Sequence, residues 1–336
     1  MSWNVQYRSE KESVYLDPIV KSVKWSGDGK QASRKLVVEL SNSENLRDRL
    51  IAIEKGSELR LLVDEKKELF RGVIFSDSIN AGGQMTVTAY DENIYLTKNK
   101  DTKIFRNQTA SDIVKRLCNE FSLPIGEIHD TGFVIPKLIF RDKTLYEMMV
   151  MSLTVSEKQN GKRFFVASKE GKLQLLARKE QEAKWVLENG VNLLDASYSQ
   201  SIEELRTQIK VAGGDSKKKE QTASAKDQEL IKRFGVMQHL EKPEQDMTKS
   251  QMEQLAKQLL KDMGTIDDEA LIECLGIDEV VSGSAVYVKE SVTGIVGGYY
   301  VSSDEHTFEQ GSHRMSLTLS ATDDLPKMEY KEPKGG

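Results

Sequence analysis

Two stretches of this sequence repeat one order of turn, strand and glycine, and a duplication restricts the fold more than any local motif does. The first copy opens at Gly56-Ser57 and reaches Phe70-Arg71-Gly72-Val73-Ile74-Phe75-Ser76-Asp77, then Met85-Thr86-Val87-Thr88-Ala89 and Asp91. The second opens at Gly283-Ser284 and continues from Ala285 to Lys289. It reaches Val296-Gly297-Gly298-Tyr299-Tyr300-Val301-Ser302-Ser303-Asp304, then Met315-Ser316-Leu317-Thr318-Leu319, with Asp323 beyond. Gly56 precedes Gly72 by 16 residues and Gly283 precedes Gly298 by 15; the next strand begins 13 and 17 residues further on, so the second hairpin is the longer. Gly-Ser turns and alternating Thr and Val also occur in unrelated antiparallel meanders, and that explanation stands beside duplication at this point. If the halves are duplicates, one chain mimics two subunits, and three chains present a six-fold-like ring.

The first copy lies in a longer β pattern. Ile19 to Trp25 and Lys35 to Leu40 are strand-like runs joined by the turn signal Ser26-Gly27-Asp28-Gly29. Glu58 to Val63, Leu69 to Phe75 and Met85 to Tyr90 follow, and short strands at this spacing predict a sandwich or barrel. The pattern then becomes helical. Thr109 with Asp112 predicts a capped helix start, and Ile113, Val114, Leu117, Cys118 and Phe121 form one apolar face until Pro124 and Gly126. Thr144 with Glu147 opens a second helix through Leu145, Met148, Met149 and about Leu153, and a hairpin turns at Lys169-Glu170-Gly171. Leu193 to Gln200 and Arg206 to Val211 are strand-like again. Gly213 to Asp227, with Lys217-Lys218-Lys219, predicts a mobile loop, and Lys249–Met263 a helix with Met252, Leu255, Ala256, Leu259 and Leu260 on one face.

Composition removes several function classes. In 336 residues there are 48 Lys and Arg against 53 Asp and Glu, a net charge of −5, so no overall basic field draws the chain to nucleic acid. Aromatic residues are 7%, too few for a stacking platform. No apolar run approaches the ~18 residues of a membrane span, and Met1 to Tyr7 lacks a secretory pattern. Cys118 and Cys274 form neither a disulfide framework nor a CxxC pair, and synthesis in a reducing cytoplasm is expected.

The segment His306-Thr307-Phe308-Glu309-Gln310-Gly311-Ser312-His313-Arg314-Met315-Ser316-Leu317-Thr318-Leu319 resembles the closing hairpin of phage tail baseplate hub proteins, in particular the hubs of PBSX-like defective prophages and tail-like bacteriocins. Thr88-Ala89-Tyr90-Asp91 with Tyr95-Leu96 resembles the end of that family's first domain, and Thr109-Ala110-Ser111-Asp112-Ile113-Val114 the start of its inserted module. The resemblance runs from about Asp17 to Asp324. It implies an α+β, mainly β fold: two tail-tube-like antiparallel β-barrel or sandwich domains with inserted α+β modules. The expected division is a tube-like β-domain I over 1–100 and an inserted α+β module over 101–182. A tube-like β-domain II follows over 183–213 plus 281–327, with an insertion over 214–280 (mobile basic loop, helix, strand) and a flexible tail over 328–336.

The resemblance further implies a homotrimeric ring, a virion structural protein that adapts a six-fold tail tube to a three-fold central spike. Its implied partners are itself, the tail tube or a tube-initiator protein, the central spike and the baseplate wedge proteins. No membrane and no sequence-specific nucleic acid are expected, although DNA passes through such a channel. The implied location is the tail of a virion or phage-like particle, after synthesis in the bacterial host cytoplasm. Some relatives carry a fused wall-degrading domain; none is expected after this second β-domain. The alternatives are a tail-associated cell-wall hydrolase and a wall-binding protein built of β-modules.

Candidate sites are few. His306 and His313 flank one hairpin turn and approach each other across its ladder, but two imidazoles are short of a metal set, and His129 and His239 lie elsewhere. Asp267-Asp268-Glu269 and Asp323-Asp324 lack the spacing of a calcium loop and read as solvated turns. Cys118 and Cys274 read as buried small apolar residues. Gly297-Gly298 leads into a strand, so it offers no helix N-terminus to a phosphate. No catalytic residue, cofactor or metal is expected, and the chain is expected not to be an enzyme.

Overall fold

The computed structural model describes residues 2–43, 46–64, 66–178, 183–213, 221–243, 247–323, 325–330 and 332. The chain divides into two units, Met1–Ala196 with Leu271–Gly336, and Ser197–Ala270. In the first unit come β1 (Trp3–Arg8), β2 (Ser13–Tyr15), β3 (Val20–Asp28), β4 (Lys35–Ser41), β5 (Glu58–Val63), β6 (Lys67–Ile79), β7 (Gln84–Tyr90) and the short helix α1 (Ile94–Lys98). Next are β8 (Lys100–Thr109), α2 (Ala110–Glu120), β9 (Ile125–Ile128), β10 (Val134–Thr144), α3 (Leu145–Asn160), β11 (Phe164–Lys169), β12 (Lys172–Ala177) and β13 (Trp185–Glu188). β14 (Leu193–Ser201) leads into the second unit, with β15 (Gln208–Gly213), β16 (Gln221–Lys226), α4 (Gln228–Phe234), β17 (Gln238–Glu241) and α5 (Lys249–Met263). β18 (Asp267–Leu275) leads back to β19 (Ala285–Lys289), β20 (Val296–Glu309) and β21 (Ser312–Ser320).

The strands of the main sheet alternate as half-buried strands must. Leu36, Val38 and Leu40 of β4 and Met85, Val87 and Ala89 of β7 are buried, and the residues between them are not. The sheet order is β14-β18-β21-β20-β3-β4-β7-β6-β5-β1-β2, with β13 and β19 joined beside β20. Within it one arrangement occurs twice: β3-β4-β7-β6-β5-β1 and β14-β18-β21-β20-β19-β13. The outermost pairs differ, since β1 runs antiparallel to β5 and β13 runs parallel to β19.

The duplication extends to individual hydrogen bonds. Gly56 N–H donates to Ile74 O (2.9 Å) and Ile74 N–H to Ser57 O (2.9 Å); Gly283 N–H donates to Val301 O (2.7 Å) and Val301 N–H to Ser284 O (2.9 Å). Gly56 and Gly283 both have positive φ, +86° and +90°, a conformation only glycine adopts without strain. A β-bulge then follows at the same place in each copy, between Ile74 and Ser76 and between Val301 and Ser303. Beyond it Asp77 faces Val87, and Asp304 faces Leu317.

This register corrects the glycine match made from sequence. Glu58 faces Val73 and Leu59 faces Gly72, while Ala285 faces Tyr300 and Val286 faces Tyr299, so Gly72 corresponds to Tyr299 and not to Gly298. The two glycines meet different demands. A Cβ on Gly72 would lie 2.3 Å from the Tyr90 carbonyl and 2.6 Å from the Phe70 ring, whereas one on Gly298 meets nothing within 4 Å.

The inserted module has its own core, in which Ile113, Val114, Leu117 and Cys118 of α2 pack with Leu145, Met148 and Met149 of α3. Both capping boxes form: Asp112 N–H donates to Thr109 Oγ1 at 3.1 Å, and Glu147 N–H to Thr144 Oγ1 at 3.1 Å. α3 runs on to Asn160, past the expected end near Leu153, and stops at Gly161 with φ +69°. The expected flexible tail is also revised. Tyr330 packs edge-on against Phe140, its hydroxyl accepts from Ile139 N–H at 2.8 Å, and Met328 N–H donates to Thr154 Oγ1 at 3.2 Å. Residues 331 and 333–336 of that expectation lie outside the described residues.

The second unit is a three-stranded sheet, β16-β15-β17, with α5 packed so that Met252 and Ala256 meet Ile209, Val211 and Ala223. β15 therefore belongs here and not to β-domain II as expected. The expected loop over 213–227 contains β16, a strand concealed by its polar sequence: Ala223 is its one buried side chain. Lys217-Lys218-Lys219 lies outside the described residues. Asp227 caps α4, its Oδ1 accepting from Glu229 and Leu230 N–H at 3.0 Å each. Among the described residues no helix is long and apolar enough to cross a membrane.

Candidate functional site

The two repeats meet where β20 pairs antiparallel with β3, from Ser303 opposite Asp28 to Glu309 opposite Ser22. β20 pairs with β3 along its far half, and Phe308, on the part of its hairpin that extends past the level of the β6–β7 turn, enters the first repeat's core with Trp25, Leu36 and Phe70. This joint brings together buried Asp304, His306 and Asp278.

At one end Arg34, in the β3–β4 connection, binds Asp304 of β20 through both carboxylate oxygens, with Nη1 3.0 Å from Oδ1. The Asp304 side chain has no solvent exposure, and its Oδ1 also accepts from Ser282 N–H at 2.6 Å. Such bidentate pairing fixes orientation as well as charge. The Arg34 guanidinium lies 4.2 Å from the centre of the Trp25 ring, which in turn faces His306 at 5.0 Å.

His306 is fully buried. Its Nε2 is 2.9 Å from the Val280 carbonyl, which can only accept, so Nε2 carries the hydrogen and Nδ1 is an acceptor. His313 Nε2 donates to that Nδ1 at 3.0 Å. His313 also stacks on Phe308 at 4.1 Å, and its Nδ1 faces Asp278 Oδ1 at 3.6 Å, beyond hydrogen-bond reach. Lys67 of β6 closes the far end, 3.2 Å from Asp278 Oδ2 and 2.6 Å from Glu279. Two cations of the first repeat thus bracket three acids and two imidazoles of the second.

Burial pushes the His306 imidazole down to about 4, against a smaller upward pull from Asp304. Burial also lowers His313, opposed by Asp278. The pair is therefore neutral at neutral pH and serves as a hydrogen-bonded spacer between two ion pairs. This arrangement suits cohesion between the repeats.

The approach of His306 and His313 agrees with the sequence expectation. His129 pairs with Glu127 at 2.7 Å and His239 with Glu241 at 3.1 Å, each in its own segment. Among the described residues no group of three or more His, Cys, Asp or Glu side chains is placed to hold a metal ion. Burial raises both Cys118 and Cys274 to about 12, so both thiols stay protonated. Two acidic clusters depart from expectation. Asp267-Asp268-Glu269 opens strand β18 and is no turn, and Asp323 is bound by Arg178 (2.6 Å) and Arg163 (3.0 Å); Asp324 lies outside the described residues. Sequence reasoning missed Arg34, Trp25, Lys67 and Asp278. The one available signal was the acid shared by both copies, Asp77 and Asp304.

The chain is 32% identical over 318 residues to the YqbQ protein of Bacillus subtilis (strain 168), covering 94% of this chain and 96% of that protein. It is 31% identical over 319 residues to the phage-like element PBSX protein XkdQ of the same organism, covering 94% and 97%. Its fold resembles the crystal structure of the 43 kDa tail protein of prophage MuSo2 from Shewanella oneidensis, with a TM-score of 0.70 and 13% identity over 94% of this chain and 98% of that one. The YqbQ-like family model matches from residue 23 to residue 320, and the chain belongs to that family.

Proposed function

We propose that this protein is the structural hub of a phage-like tail: three copies form a ring that joins the six-fold tail tube to a three-fold central spike. The observation that carries the reading is the repeat itself. Two β-domains share turn hydrogen bonds, bulge and strand order, so one chain supplies two near-equivalent positions and three chains supply six. The six positions match a tube of six, while differences between the repeats leave three-fold symmetry for the spike. The relatives support the setting, since one is a PBSX protein and a structural neighbour is a prophage tail protein.

In this reading the work lies in interfaces and the chain catalyses nothing. Its partners are its own copies, the tube or tube-initiator protein, the spike and the wedge proteins, and its place is the tail of a particle assembled in a bacterial host. Light scattering on the purified protein tests the central element. A mass of three chains is expected; one or two chains at the highest attainable concentration counts against the ring.

A further inference from the structure

The joint between the repeats has a counterpart that a single chain leaves open. One edge of β20 carries β19 along its near half, Val296–Tyr300, and β3 along its far half, Ser303–Glu309. The equivalent edge of β6 carries β5 along its near half, Lys67–Val73. Along the far half, residues 76–79, no second strand is paired among the described residues. The consequence shows in exposure: Asp304 and His306 are buried, while their counterparts Asp77 and Ile79 are only half-buried and Ser76 and Ser78 are exposed.

In the order of the repeat, the strand that corresponds to β3 is β14. β14 ends the sheet, with β18 on one edge and no strand on the other among the described residues. Exposed termini of sheets are normally shortened, charged with Lys or interrupted by Pro. β2, at the opposite end, is three residues long. β14 has nine residues, Leu-Leu-Asp-Ala-Ser-Tyr-Ser-Gln-Ser, with no Lys and no Pro, and it exposes Leu194 by 49% and Tyr198 by 43%.

The geometry points to a second copy of this chain as the occupant: β14 of one copy adds antiparallel to the far half of β6 in the next, as β3 adds to β20 within the chain. The proposal rests on the ring reading above and names the surfaces that close it. Each chain offers one open β6 edge and one open β14 edge, a head-to-tail pair of unlike surfaces that closes only as a ring. The template sets polarity and place, and the four free residues of β6 set the length of the pair.

Disulfide cross-linking tests the pairing. Ser78→Cys is combined in separate variants with Ser197→Cys, Tyr198→Cys, Ser199→Cys, Gln200→Cys and Ser201→Cys, while the buried Cys118 and Cys274 remain. Residues directly opposite in an antiparallel pair lie within disulfide reach, and their neighbours do not. One combination is therefore expected to oxidise to linked dimers and trimers at about tenfold the yield of the rest. A mass of three chains with no cross-link in any variant overturns the pairing and leaves the ring reading intact. Cross-linked closed dimers overturn the ring reading and uphold the pairing. A chain that stays single at the highest attainable concentration overturns both.

Discussion

Asp77 and Asp304 hold the same place in the two repeats but stand in different surroundings, and that contrast yields a sharp prediction about what holds the repeats together. Asp304→Ala removes a carboxylate with no solvent exposure, strips the partly buried Arg34 of its partner, and leaves Ser282 N–H without its acceptor. Breaking a buried ion pair by deleting one partner costs ~3–5 kcal/mol, and an orphaned buried donor adds ~1–3 kcal/mol. These overlap, and a net loss of about 4 kcal/mol is expected. Asp77→Ala breaks a pair with Lys55 at 2.5 Å in which the lysine is 57% exposed, and the expected loss is ~1 kcal/mol or less. All three tryptophans, Trp3, Trp25 and Trp185, lie in the first unit, so tryptophan fluorescence in urea follows its unfolding. The double variant Arg34→Ala with Asp304→Ala should lose less than the sum of the single losses, with a coupling of about 2 kcal/mol. Equal losses for Asp77→Ala and Asp304→Ala, at unchanged m-value, would refute the view that this buried pair fastens the repeats.

Further outcomes follow from the same contacts. The folded His306 value of about 4 lies below the ordinary 6.5, so the unfolded chain takes up its proton first as pH falls. The stability that this neutral imidazole contributes is full above about pH 6.5 and lost towards pH 4, ~3 kcal/mol in all, and His306→Gln should flatten the acid limb of the urea midpoint against pH. An unchanged limb counts against the buried neutral pair. Gly56→Ala and Gly283→Ala should each cost ~1–2 kcal/mol because both residues sit at positive φ, while Gly298→Ala, with open space around it, should change the urea midpoint little. Tyr330→Phe should cost ~1 kcal/mol and speed hydrogen exchange of the Ile139 amide; exchange as slow as in the parent would show that the hydroxyl is not its partner.

What the sequence disclosed is mostly short-range chemistry. The Thr109–Asp112 and Thr144–Glu147 boxes are visible because a cap and its partner are three residues apart, and both form as expected. The repeat was legible through Gly-Ser turns and Met-led strands, but matching glycine to glycine placed it one residue out, because Gly72 answers to a collision with Tyr90 and Gly298 does not. β16 escaped notice since its polar residues outnumber its one buried alanine. The joint was hidden for another reason. Arg34 and Asp304 are 270 residues apart, and no local pattern announces a pair made only when the two repeats meet. Tyr330 likewise sits in a stretch of Lys, Glu and Pro that reads as frayed until Phe140 and the Ile139 amide are placed beneath it.

On the proposed reading, the duplicated β-domain makes three chains into a ring with six similar positions. Electron microscopy of the purified protein, averaged without imposed symmetry, tests it most directly. A ring around an open channel with three-fold symmetry and six β-lobes of two alternating kinds is expected. Single-chain particles, two-fold dimers, or a closed disc without a channel would contradict it.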